Sequence, residues 1–222
     1  MPTPRAGYFL ADGTKVPSVT TILGRFKESG ALMQWAFKQG QSGAVSLYEQ
    51  RDKAADIGTV AHAMVEAHLT GGSPNDVLSA SGLPAEGASK ASTAFLAFLT
   101  WETQQNAQVI SAEAPMISER HRYGGTPDLV MRTGDGRLAM ADIKTSNGIY
   151  REYLIQVAAY ALLWDECHPD DKITGGFHLL RFGKEAADFE HRYFAELADA
   201  ADMFLLLRRA YELDLALKKR AG

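Results

Sequence analysis

The chain has 222 residues, 46% of them hydrophobic and 23% charged, enough to bury a core without covalent staples, and it reads as one domain. Its single cysteine, Cys167, excludes an intrachain disulfide framework, a four-cysteine iron–sulfur cluster and a zinc ribbon. The net charge of −4 argues against a protein that coats nucleic acid indiscriminately. No run approaches the roughly 18 apolar residues of a membrane-spanning helix, and Met1-Pro2-Thr3-Pro4-Arg5 lacks the apolar core of a signal peptide. The expectation is a cytoplasmic protein without a membrane partner.

In chain order, Tyr8-Phe9-Leu10 followed by Asp12-Gly13 predicts a short strand and turn. Pro17-Ser18 opens a helix, with Ser18 or Thr20 as its cap. Ala31–Gln39 is helical and Gly40 stops it; Val45–Leu69 is helical again, with a break near Asp56-Ile57-Gly58. Residues 71–88, rich in Gly, Ser and Pro, read as a mobile flap. Ser89–Gln105 carries a helical apolar stripe of Ala91, Ala94, Phe95, Phe98 and Leu99. Strands follow over Val109–Ile117, Tyr123–Arg132 and Arg137–Lys144, the last two joined at Gly134-Asp135-Gly136. A helix over Ile149–Cys167 is stopped by Pro169, strands run over Ile173–Phe182 and Asp188–Phe194, and a last helix spans Glu196–Lys219. That order predicts an α+β fold, a mixed sheet flanked by helices, with a helical part over about 17–107 and the sheet and its helices over about 108–222. Trp35, Trp101 and Trp164 fall at core positions of helices, and Cys167 reads as a buried thiol.

The chemistry concentrates in Gly124-Gly125-Thr126-Pro127-Asp128 and Asp142-Ile143-Lys144. Residues 119–151 carry six Lys/Arg against four Asp/Glu, the most positive stretch of an acidic chain and the one that would draw a phosphate-rich ligand. Asp142 and Lys144, two apart on a strand, share one face. With a three-residue loop, Thr133 pairs with Arg137, and the same register sets Asp128 opposite Asp142. A two-residue loop would send the two carboxylates to opposite faces. Carboxylates so placed repel, and a divalent cation relieves them; hard oxygen ligands suit Mg²⁺ or Mn²⁺ better than zinc. Lys144 can then orient or deprotonate a water, or neutralise charge on a phosphate. Gly124 and Gly125 allow close backbone approach, and Pro127, without an N–H, suits a strand entrance or edge.

These segments, with Gln156-Val157-Ala158-Ala159-Tyr160 and an upstream Gly58-Thr59-Val60-Ala61-His62, resemble the PD-(D/E)XK nuclease superfamily in its RecB-like, phage-exonuclease branch. The resemblance spans residues 16–165 in the expected order. It implies a restriction-endonuclease-like core and a Mg²⁺- or Mn²⁺-dependent deoxyribonuclease, most of all an exonuclease of recombination, replication or repair. It also implies His62, Asp128, Asp142 and the Ile143 carbonyl as metal ligands, Lys144 as the catalytic lysine, and Gln156 and Tyr160 lining the site. Glu113 is a candidate further acid, with Glu66 a weaker one, one turn on from His62. Pro17-Ser18-Val19-Thr20-Thr21 resembles the start of phage exonucleases, so Ser18 and Thr20 are candidate phosphate contacts, as are Arg120 and Arg122. Branch members with an iron–sulfur cluster are excluded by the lone cysteine, and no Walker motif is present. DNA is the expected partner, with a homo-oligomer or a recombination or replication protein beside it. A structure-specific endonuclease and a non-catalytic DNA-binding module on the same fold are the rival readings.

Overall fold

The computed structural model describes residues 7–27, 47–146, 148–182 and 189–221, the side chains of 47–56 excepted. The helix expected over Ala31–Gln39, with Trp35, lies outside those residues. Along the chain come β1 (Tyr8–Phe9), β2 (Lys15–Val16), α1 (Val19–Arg25), α2 (Leu47–Leu69), α3 (Pro74–Ala80) and α4 (Ala85–Gln105). Then follow β3 (Gln108–Ala112), β4 (Met116–Ser118), β5 (Tyr123–Gly125), β6 (Leu129–Arg132) and β7 (Leu138–Thr145). The chain continues through α5 (Arg151–Cys167), β8 (Ile173–Phe182), β9 (Phe189–Phe194) and α6 (Ala198–Ala221). Five strands form one mixed sheet in the order β3-β6-β7-β8-β9; β1 with β2, and β4 with β5, make two small hairpins. All pairings in the large sheet are antiparallel except β7 with β8, and α5 supplies the crossover that a parallel pair requires. No helix of the described residues is long and apolar enough to cross a membrane.

The central strand β7 explains the layering. Leu138 and Met140, with Val130 and Leu179, join the cluster built by α1, α5 and α6 around Val157, Leu163 and Phe204. Ala139, Ala141 and Ile143, with Leu129 and Met131, pack instead with α2 and α4 through Met64, Phe98 and Trp101. A strand covered on both faces must be apolar almost throughout, and the buried part of β7, Leu138–Ile143, is apolar apart from the fully buried Asp142. The hairpin register is the expected one: Leu129 faces Ala141 and Arg132 faces Leu138. Thr133 N–H donates to the Arg137 carbonyl at 2.9 Å, and Gly136 takes the left-handed position of the loop at φ +84°.

Several expectations are corrected. The helix α2 runs unbroken through Asp56-Ile57-Gly58. Residues 71–88 are no flap: Ser73 caps α3 with Pro74 in its first turn, and α4 starts at Ala85. The Ser and Pro that suggested a loop are helix-start residues, and Val77, Leu78 and Leu83 pin the segment to the core. The strand expected over Val109–Ile117 is interrupted at Glu113, which adopts φ +50°, and Tyr123–Arg132 is split at Thr126-Pro127-Asp128. Cys167, the last residue of α5, is exposed, with its thiol 3.6 Å from the Ile117 carbonyl. Trp101 and Trp164 are buried as expected.

Gly58 sets the spacing between layers. A Cβ there would come within 2.6 Å of Thr145 Cβ, at the end of β7, so only glycine lets α2 lie this close to the central strand. Gly58→Ala is expected to destabilise the fold by about 1–3 kcal/mol through overpacking. Gly134→Ala, whose added carbon meets nothing nearer than 3.9 Å, should stay within about 0.5 kcal/mol. Urea unfolding of both variants checks the difference.

Candidate functional site

The hairpin brings Asp128 to the end of β6 beside β7. Its Oδ2 accepts the Ile143 backbone N–H at 2.7 Å, which ties the strand entrance to the neighbouring strand after the ladder has ended. Pro127 explains why the ladder ends there, since it has no N–H to give. Asp142 and Lys144 share a face as alternation requires, and their side chains form an ion pair at 2.5 Å. That face looks to α5, where the Tyr153 ring lies 5.2 Å below Lys144 Nζ, and Gln156 Nε2 donates to the Tyr160 hydroxyl at 3.1 Å.

His62 arrives from α2 in the opposite layer. Its Nε2 lies 3.0 Å from Glu113 Oε1 and 3.9 Å from Asp128 Oδ1. Glu113 reaches it because the chain turns left-handed there, directly after β3, while its N–H still bonds to the Asp128 carbonyl at 3.2 Å. One ligand atom from each of His62, Glu113 and Asp128 falls within 4.8 Å of the others. Asp142 is not part of that trio; it stands beside it, held by Lys144. Glu66 is not part of it either.

The electrostatics are those of a site short of positive charge. Burial pushes the Asp142 carboxyl up to about 7, with Lys144 opposing and Asp128 adding to the rise. Burial likewise raises Asp128, against the pull of His62 and Lys144. Burial works against a charged Lys144, yet Asp142 and Asp128 outweigh it and hold the ammonium above its ordinary range. Burial also opposes the charged form of His62, but the Glu113 hydrogen bond and Asp128 raise its pKa overall. The hydroxyl of Tyr160 is held well above its usual range by burial and by the two aspartates. Glu113 Oε2, Asp128 Oδ1 and Asp142 Oδ1 are buried without a hydrogen-bond partner. Three orphaned carboxylate oxygens beside an imidazole are the donor set that a hard divalent cation takes.

The other expected residues lie elsewhere. Ser18 caps α1, with its Oγ accepting the Thr21 N–H at 3.0 Å and sitting 2.9 Å from Thr20 Oγ1. The segment nonetheless runs alongside β5, for Ser18 bridges Gly124 and the Gly124 N–H donates to the Pro17 carbonyl at 3.0 Å. Arg120 and Arg122 occupy the exposed turn between β4 and β5; the Arg120 N–H donates to Glu166, and the Arg122 carbonyl accepts from Arg208. Tyr8, expected only as part of a short strand, also borders the site. Its hydroxyl is 2.8 Å from Thr126 Oγ1, and its ring fills the space that a side chain at Gly124 would need. Only the Gly-Gly-Thr run hinted that a ring would press there.

A model of the PD-(D/E)XK nuclease superfamily matches residues 33–219. Among solved structures, the chain aligns with SSO0001 at 15% identity and a TM-score of 0.36, over 70% of this chain and 72% of that one. It also aligns with a provisionally named exonuclease from Eubacterium rectale at 10% identity and a TM-score of 0.45, over 69% and 68%. No curated protein matches.

The pKa shifts set a direction for stability. Asp128 and Asp142 are raised above the ordinary 3.8, and His62 above 6.5, so each contributes stability at low pH that is lost as pH rises through its folded value. His121, His178 and His191 are lowered by burial and push the other way, so the comparison is made against Asp142→Asn, which keeps them. In EDTA the melting temperature of the unaltered chain relative to Asp142→Asn is expected to fall between about pH 5 and pH 8. Calorimetry of both across that range tests this; a difference that moves in the unaltered chain's favour as pH rises would contradict the assignment.

Proposed function

The chain belongs to the PD-(D/E)XK nuclease superfamily, and on that footing we propose that it is a Mg²⁺- or Mn²⁺-dependent DNA exonuclease serving recombination, replication or repair. The observation that carries this reading is the group of buried, unpartnered carboxylate oxygens next to an ion-paired lysine. His62, Glu113 and Asp128 would hold the cation, with Asp142 and the Ile143 carbonyl on the adjoining strand. When bound, a divalent cation supplies Lewis acidity toward water and phosphate oxygen and offsets the aspartates' charge.

The chain's own groups then divide the remaining work. Lys144, with its pKa raised by two carboxylates, keeps its proton near neutral pH. Paired with Asp142 over the Tyr153 ring, it supplies a fixed positive charge and a hydrogen-bond donor for the phosphate. Tyr153 beneath it and Asp142 beside it fix the ammonium. Tyr160 also keeps its proton; it accepts from Gln156 and has its own O–H left to orient a water or phosphate oxygen. Ser18, Thr20, Arg120 and Arg122 lie on exposed segments leading toward β5 and supply backbone contacts.

Asp142→Ala and Lys144→Ala are each expected to lower the cleavage rate by at least about 100-fold while far-UV circular dichroism stays unchanged. Retained Mg²⁺-dependent cleavage by purified Asp142→Ala would sink the proposed site. End-labelled linear DNA compared with circular DNA separates the alternatives. Mononucleotide release from the linear form alone supports an exonuclease, and cleavage of circles marks an endonuclease. Binding without cleavage under Mg²⁺ or Mn²⁺ marks an accessory module.

A further inference from the structure

The helix α6 (Ala198–Ala221) has two apolar faces. Ala200, Phe204 and Arg208 are buried, with Leu207 and Tyr211 packed on the core. On the opposite side Met203, Leu206, Ala210, Leu213 and Leu217 recur at alternating intervals of three and four, the a/d spacing of a coiled-coil seam. Leu206, Leu213 and Leu217 are 67%, 48% and 62% exposed. A single exposed leucine needs no explanation, but a four-turn seam of them on a helix already anchored by its other face does.

The charges say what covers it. Asp199 and Asp202 flank the start of the seam, and Lys218, Lys219 and Arg220 its end. None of the five forms an ion pair among the described residues, whereas the mid-helix charges Arg208, Arg209 and Asp214 are already paired within the chain. A second copy laid parallel would set acid on acid and base on base. Laid antiparallel, it sets Asp202 near Arg220 of its partner and opposes the helix dipoles.

We infer that α6 is the seam of an antiparallel, two-fold symmetric dimer of this chain. In its register Leu206 faces Leu217 and Ala210 faces Leu213, each contact made twice, as an isologous interface requires. The small Ala210 opposite Leu213 lets the helices approach closely. The inference does not rest on the nuclease reading, because neither readout below uses cleavage.

Sedimentation of the full chain at micromolar concentration should give about twice the 24.2 kDa monomer mass. Leu206→Glu with Leu213→Glu should give the monomer mass with an unchanged circular dichroism spectrum. Arg220→Glu should weaken association and Asp202→Lys added to it restore it. For orientation, Leu206→Cys and Leu217→Cys are made separately in a Cys167→Ser background and oxidised with copper phenanthroline. The two variants mixed should cross-link and neither alone should. A wild-type monomer, leaving the seam to another partner, overturns the dimer; self-cross-linking of either variant alone overturns its antiparallel sense.

Discussion

Two carboxylates buried next to each other with one ammonium in contact form the constraint around which the molecule is arranged. Neither Asp128 nor Asp142 belongs in a protein interior on solvation grounds. Each is tolerated because something has been brought to it: the Ile143 N–H to one, the Lys144 ammonium to the other. The help is incomplete, as the orphaned oxygens record. A core that could have been apolar here keeps charge instead, at a cost in stability, which is what makes it the candidate site.

The surrounding architecture follows from supplying that help from several directions. Alternation along β7 delivers Asp142 and Lys144 to the α5 face and leaves Ala141 and Ile143 for the α2 face. His62 comes from the other layer, on α2, and meets Glu113 and Asp128 at the strand ends. This is why the tight contact at Gly58 matters to a histidine one helical turn further on. A wider gap between layers would leave the imidazole short of Glu113 and Asp128.

Local signals made much of this legible in the sequence. The glycine-flanked loop fixed the hairpin register, and a period of two did the rest, so the level of Asp128 against Asp142 could be read from residue numbers. The helix before Pro169 and the strand Ile173–Phe182 followed from punctuation and apolar runs. What stayed hidden depended on tertiary context. Glu113 has no sequence mark of its left-handed backbone, and that backbone is what aims it. The Ser-Pro start of α3 has the composition of a loop, and only packing of Val77 and Leu78 decides for a helix. The positive balance of residues 119–151 also looked simpler than it is: Arg132 and Arg137 are taken up by Asp171 and Asp135, while Arg120 and Arg122 stand exposed in their turn.

The hydrogen bond between the Tyr8 and Thr126 hydroxyls joins residues 118 positions apart. Its ring backs the Gly-Gly run leading to Asp128, while Tyr160 closes the opposite side, with its own ring against Gly125. The assembly therefore draws on distant parts of the chain, and a growing polypeptide holds its early pieces long before the last piece exists. On a ribosome, residues 8, 62, 113, 128, 142 and 144 would all wait for the helix bearing Tyr160. A nascent chain of this protein is expected to leave the site unassembled until that helix emerges, so synthesis itself delays the completion of the site.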